Sequence, residues 1–264
     1  MAKKSDVKPI SMKAALIAMA VVIVAVGLFL VYMFTESSGS EESGDISFDQ
    51  SFGESSLEPK PEDVIVKETM ADANVGDAVI FGKYEQNGNT SDGAEALEWI
   101  VLEKQDDKLL LISRYCIDTK PVNTTRADTE FASSSLCAWL NGEFISGTFA
   151  SEEANALIDN GGIKVSLLSA ADAAKYYEYD SWRVATATEY AKSNGARVEN
   201  GACWWWLLDK GTTANSYSYV HFNGTVQSKG FAVDYNAVAV RPLIWVSADA
   251  ETETEHLSAP EVSE

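Results

Sequence analysis

Val238-Ala239-Val240-Arg241-Pro242-Leu243-Ile244-Trp245-Val246 reads as one long apolar strand interrupted once. Proline has no N–H to give a ladder, so Arg241-Pro242 marks an edge or a bulge. A guanidinium in so apolar a run needs a partner, and Asp234 or Glu98 is the expected acid. Upstream, Cys203-Trp204-Trp205-Trp206-Leu207 is a second, aromatic strand. Side chains alternate along a strand, so Trp204 and Trp206 face one way and Trp205 the other, and at least one of those faces is core. Between the two runs, Tyr217 to Phe222 alternates, Asn223-Gly224 turns, and Thr225 to Gln227 runs back. A two-residue turn sets His221 opposite Val226 and mixes the faces. A three-residue loop pairs Phe222 with Val226 and keeps them apart.

Three further strands come early: Ala78 to Gly82, Leu97 to Leu102, and Lys108 to Ser113, with Asp106-Asp107 as the hairpin turn between the last two. The middle of the chain is helical. Ser134 or Ser135 caps a helix through Phe144, with Leu136, Trp139 and Leu140 on one face and Cys137 as a small core residue. Ser151 caps Glu152 to Ile158. Ser169 and Thr186 open capping boxes with Asp172 and Glu189, and the second helix stops at Asn194-Gly195. Ile163 to Leu168 is a short strand between them. Strands first, helices in the middle and strands last make an α+β domain over residues 73–248, its last strand pairing with the early ones.

The flanks have a different composition. Residues 14–34 are an uncharged, almost wholly apolar run of transmembrane length, preceded by Lys3, Lys4, Lys8 and Lys13 and followed by acids. The positive-inside rule makes 1–13 cytoplasmic and the rest of the chain extracellular. No small-residue cleavage site follows Phe34, so the segment reads as an uncleaved signal anchor in the cell membrane. Residues 35–72, rich in Ser, Glu, Gly and Pro, read as a disordered acidic stalk, and 249–264 as a disordered acidic tail. The net charge is −20, of which the stalk carries −9, the tail −6 and the folded part −8, against +3 at the N-terminus. That balance repels a phosphate backbone and excludes a nucleic-acid partner as the default.

The aromatic motifs carry a resemblance. CWWWL at 203–207 and Val-Arg-Pro-x-x-Trp at 240–245 follow Gly76-Asp77-x-Val79-x-Phe81-Gly82, Glu98-Trp99, Leu110-Leu111-Ile112-Ser113 and Ser135-Leu136-x-x-Trp139-Leu140-Asn141-Gly142-Glu143-Phe144. In this order they resemble an uncharacterised extracellular domain family of gut Firmicutes, over about residues 75–247. The resemblance implies a C-type-lectin-like mixed domain of short antiparallel sheets plus helices. Formylglycine-generating enzymes and bacterial receptor-like variable proteins share that fold. The family commonly continues CWWWL with Arg-Ser-Pro-Gly. Here Leu208-Asp209-Lys210-Gly211 stands instead, so any role of that arginine is absent.

Seven residues are candidates for ligand contact: Trp204, Trp206, Asp209, Tyr217, Tyr219, His221 and Asn223. The tryptophans read either as an aromatic platform for a sugar ring or peptide, or as core scaffold. Tyr217, Tyr219 and His221 share one face of their strand, opposite Val220 and Phe222. No catalytic residue, metal ligand or cofactor is assigned. The chain has two histidines, one of them (His256) in the acidic tail, and no G-x-S-x-G, H-E-x-x-H or phosphate-loop pattern. Cys203 with His221 would form a nucleophile–base pair, but CWWW reads as a core strand. No sugar-lectin calcium motif is present, so calcium is not expected. Cys116, Cys137 and Cys203 leave an odd thiol, with a Cys116–Cys203 bridge open.

The expected function is a non-catalytic, membrane-anchored, surface-exposed module that binds an extracellular glycan, cell-wall polymer or protein. A structural or interaction subunit of a cell-envelope complex is the alternative, and an extracellular enzyme a more distant one. A reporter fused after Glu264 is expected to be active only outside the cytoplasm. Activity only inside it would overturn the topology.

Overall fold

The computed structural model describes residues 64–252. The expected membrane helix at 14–34, the segment before it, most of the stalk and the end of the tail lie outside those residues. Among the described residues no helix is long and apolar enough to cross a membrane.

Two sheets organise a mixed α+β fold. The first has six strands in the order Val66–Lys67, Ala78–Tyr84, Glu95–Lys104, Lys108–Ser113, Leu243–Ser247, Val165–Ser166. Its first pair is parallel and the others antiparallel. The second has five, in the order Val226–Ala232, Ser216–Val220, Trp205–Lys210, Ala239–Val240, Asp118–Thr119. The three early strands and the return of the last strand to Lys108–Ser113 match the sequence reading. Gln105 N–H to Lys108 C=O (2.8 Å) closes the hairpin at Asp106-Asp107.

Both faces of the central strands are buried, which explains their near-continuous apolar runs. Trp204 and Trp206 enter one core with Phe81, Trp99 and Phe144. Cys203, Trp205 and Leu207 enter a second core with Cys116, Ile112 and Val220. Leu109 and Leu111 go with the first core, Leu110 and Ile112 with the second. A strand that serves two cores cannot show a polar face.

The break at Arg241-Pro242 is where the chain changes sheets. Val240 pairs with Asp118 in the second sheet, and Leu243 with Ile112 in the first. The connection from Ser113 to Asp118 crosses alongside it in the opposite direction. Ser113 N–H donates to Pro242 C=O (3.0 Å) and Ile117 N–H to Val240 C=O (3.0 Å), so the missing proline N–H falls where no ladder bond is required. Arg241 is 2% exposed. Its Nε donates to Ser113 C=O at 2.9 Å and its guanidinium lies 5.0 Å from the Trp205 ring. The acids expected to meet it are engaged elsewhere: Glu98 with Arg114, and Asp234 with Arg126.

Helices pack beside the sheets much as their caps dictate. Ser134 accepts from Cys137 N–H at the start of Ser135–Trp139, and the helix widens into a π turn over Leu140–Phe144 before ending at Ile145–Thr148. Asn141 in that turn accepts from Lys164 and Val165 N–H (2.8 and 3.0 Å) and donates to Val165 C=O (2.8 Å), which holds the edge strand in place. Ser151, expected as a cap, is instead the first residue of the Ser151–Ala156 helix, whose cap is Ala150, with Glu153 accepting from Ala150 N–H at 2.7 Å. Ser169 caps Ala170–Tyr176 as expected. At Glu189–Ser193 the cap is Thr188, not Thr186, because Thr186 C=O is taken by Cys116 N–H. The hairpin loop has three residues, Phe222-Asn223-Gly224, one residue earlier than expected: Val220 pairs with Val226 and His221 N–H donates to Thr225 C=O. The faces stay unmixed. Gly224 has φ +83, and a Cβ there would meet Asp180 C=O at 1.7 Å. Only glycine lets this tip seat on the Asp180–Arg183 turn.

All three cysteines are free and buried. Cys116 and Cys203 meet in the second core, and the Cys203 thiol is pushed up by its hydrogen bond with Cys116 and by burial.

The fold starts before residue 73. Val66–Lys67 adds a strand to Ala78–Tyr84, and Met70 is fully buried. Residues 64–72 therefore belong to the domain rather than to the stalk, because one strand and one buried methionine tie them to it. A chain beginning at Ala73 is expected to be about 2–4 kcal/mol less stable than residues 64–252 in urea unfolding. Equal stability would show the segment to be dispensable.

Candidate ligand-binding site

The seven residues singled out in the sequence do not form one exposed surface. Trp206 is fully buried and its Nε1 donates to Lys120 C=O (2.9 Å). Tyr217 is buried, its hydroxyl donates to Thr129 C=O (3.0 Å), and burial pushes its phenol up to about 12. Asp209 accepts from Ala170 N–H at 2.6 Å, at the start of the Ala170–Tyr176 helix. Asn223 shapes the hairpin loop by accepting from Thr225 N–H (3.2 Å) and Oγ1 (2.7 Å). The aromatic platform and the exposed tyrosine stripe are corrected by these placements. The Ser216–Val220 strand lies between two neighbours, and both its faces are covered.

Three of the seven do meet. The Trp204 ring packs on Tyr219 (4.9 Å between centroids), His221 (5.2 Å) and Phe231 (5.9 Å), with the Arg197 guanidinium 4.3 Å from it. Trp204 is 7% exposed and Tyr219 8%, so the centre of this cluster is closed, while His221 and Phe231 are half-buried and Arg197 is exposed at its rim. His221 touches Phe222 and Asn223 rather than Cys203. Cys203 instead faces Cys116 and the Ala185 carbonyl.

An open concavity walled by both sheets lies elsewhere. It is a cleft of about 740 Å³. Leu243, Ile244 and Trp245 of the first sheet and Leu208, Lys210 and Tyr217 of the second line it, together with Asp172, Lys175 and Tyr176 from the Ala170–Tyr176 helix. Tyr217 is the one sequence candidate among its walls. Trp245 and Tyr176 are half-buried, so each shows part of a ring to the cleft.

The ionisable groups of the cleft compensate one another. Glu103, Glu130 and Asp172 stand against Lys164, Lys175 and Lys210. Lys175 and Tyr176 both donate to Glu103, and the Lys175 ammonium hydrogen bond, followed by that of Tyr176, holds the Glu103 carboxyl at about 2. Lys175 is raised in turn, and so is Lys210 by Asp128 and Glu130. Lys164 donates to Ala154 C=O at 2.8 Å. The cleft therefore offers aromatic faces and many hydrogen-bonding groups with little net charge. Among the described residues no group of three His, Cys, Asp or Glu is placed to hold a metal ion.

The alternation Leu243, Trp245, Ser247 against Ile244 and Val246 was the available signal for Trp245. Nothing in sequence links Glu103 to Lys175, which are 72 positions apart.

Glu103 lies below its ordinary value of 4.5, so its ion pair supports the fold above that value and loses this support as pH falls from 4.5 through 2. A carbon-detected NMR titration is expected to give a Glu103 midpoint near 2. Lys175→Ala is expected to move that midpoint up toward 4.5, and Tyr176→Phe to move it less. An unchanged midpoint in Lys175→Ala would contradict this assignment.

Neither a curated protein nor a solved structure matches the chain. A family described as a domain of unknown function, DUF6273, matches residues 106–248. That span takes in the last strand of the first hairpin, the helices, both aromatic motifs and most of the cleft. The chain belongs to the DUF6273 family, which is uncharacterised.

Proposed function

We propose that the protein is a membrane-anchored, surface-exposed binding module, and that its domain holds a neutral glycan or cell-wall polysaccharide strand in the cleft between the sheets. The single observation that carries this reading is the charge-balanced cleft with Tyr176 and Trp245 on its walls. Sugar rings stack their C–H faces on aromatic rings and exchange hydrogen bonds at their edges. A polyanion would have to displace Glu103 or Glu130 from the lysines they already hold. The aromatic motifs resemble an uncharacterised extracellular domain family, and the C-type-lectin-like fold which that resemblance implies supports the same reading at the level of fold analogy. The apolar run at residues 14–34 supports attachment to the membrane with the domain outside.

Titration of residues 64–252 with neutral oligosaccharides, followed by tryptophan fluorescence, tests the proposal. Saturable binding is expected, weakened about tenfold or more by Trp245→Ala, the loss of roughly one stacked ring. Trp245 is half-buried at a strand position, so the folded state of the variant is checked by circular dichroism. Binding that survives in folded Trp245→Ala and Tyr176→Ala would place the ligand elsewhere. No binding to any glycan would shift weight to docking on an envelope protein, to be sought by crosslinking in the membrane.

A further inference from the structure

A second concavity lies behind the sheet crossing. It is a cavity of about 190 Å³ with Ile100, Leu102, Tyr176, Tyr177, Trp182 and Arg241 among its walls. Two arginines are buried among the described residues, and they differ in one respect. Arg183 is well partnered: its Nε donates to Gly224 C=O, its Nη1 to Tyr177 C=O, and its Nη2 meets the Asp180 carboxylate. Arg241 has the Ser113 carbonyl and the Trp205 ring, and no carboxylate; its Nη1 is buried with no partner. The Tyr177 hydroxyl is likewise buried with no partner. These two orphaned donors belong to walls of the same cavity.

A buried cation left without an anion, beside space large enough to hold one, is an incomplete site. We infer that this cavity binds a small organic carboxylate, with the anion on Arg241 and Tyr177 and an apolar or aromatic group against Ile100, Leu102 and Trp182. The chemistry fits on both sides. A carboxylate accepts from guanidinium and phenol donors together. Its hydrocarbon part replaces water on walls that are otherwise mostly apolar. The size fits a single ring: a cavity of about 150 Å³ accommodates benzene. Inorganic anions would leave those walls wet, and a peptide or sugar would not fit. The site is distinct from the glycan cleft except at Tyr176, which lines both. It stands or falls independently of that proposal.

The test is thermal unfolding and calorimetry of the full-length chain with benzoate, phenylacetate and 3-methylbutanoate, and with neutral benzamide as control. At least one of the acids is expected to raise the midpoint and bind saturably, with benzamide at least tenfold weaker. Arg241→Gln is expected to abolish the effect. Because that change also touches the sheet crossing, Tyr177→Phe serves as the second variant. It removes only an unpartnered hydroxyl, so it is expected to leave the fold intact and weaken the acid about tenfold. No stabilisation of the folded wild type by any of the three acids would overturn the proposal. So would equal binding of benzamide, or binding unchanged in both variants.

Discussion

The peptide unit between Arg241 and Leu243 sets the terms for everything around it. An apolar run of this length would continue as one straight strand, and proline prevents that by withholding an N–H. The chain instead leaves one ladder after Val240 and joins another at Leu243. The segment from Ser113 to Asp118 makes the reverse passage beside it, and the Ser113–Pro242 and Ile117–Val240 hydrogen bonds tie the two together. The Arg241 side chain fills the corner, bonded to Ser113 and laid against Trp205. Two sheets joined by two antiparallel crossings cannot slide past one another without breaking these bonds.

The concavities follow from that joint. The cleft takes its walls from both sheets. The Ala170–Tyr176 helix, fixed by the Ser169 cap and by Asp209, supplies Lys175 and Tyr176 to that gap. Asn141 anchors the short edge strand beside it. The smaller cavity shares Tyr176 with the cleft and has the corner arginine in its wall. Binding surfaces built from strand ends and one capped helix are held more rigidly than loops of the same length.

The fold was more legible in the sequence than the site. Period-two alternation correctly sent Trp204 and Trp206 one way and Trp205 the other, and the proline correctly marked the interruption. What a single strand does not show is whether its second face meets solvent or another core. That ambiguity made Tyr217, Tyr219 and the tryptophans look like a surface, when the Ser216–Val220 strand is enclosed on both faces. The partners of Arg241 were misjudged for a related reason. An acid must be within reach in space, and Glu98 and Asp234 were already committed to Arg114 and Arg126. The cleft itself joins residues from Glu103 to Trp245, far apart in sequence and related only through the sheet order. Local pattern fixes the elements and some of their caps, Ser134 and Ser169 among them. It carries no information on which distant side chains converge.

If the crossing at Arg241-Pro242 makes the two sheets one unit, they must open together. Native-state hydrogen exchange in low denaturant measures this directly. The account predicts one common opening free energy for the protected amides of the Lys108–Ser113 and Leu243–Ser247 strands and of the Trp205–Lys210 and Ser216–Val220 strands. A second sheet that opens at distinctly lower free energy while the first stays protected would contradict it.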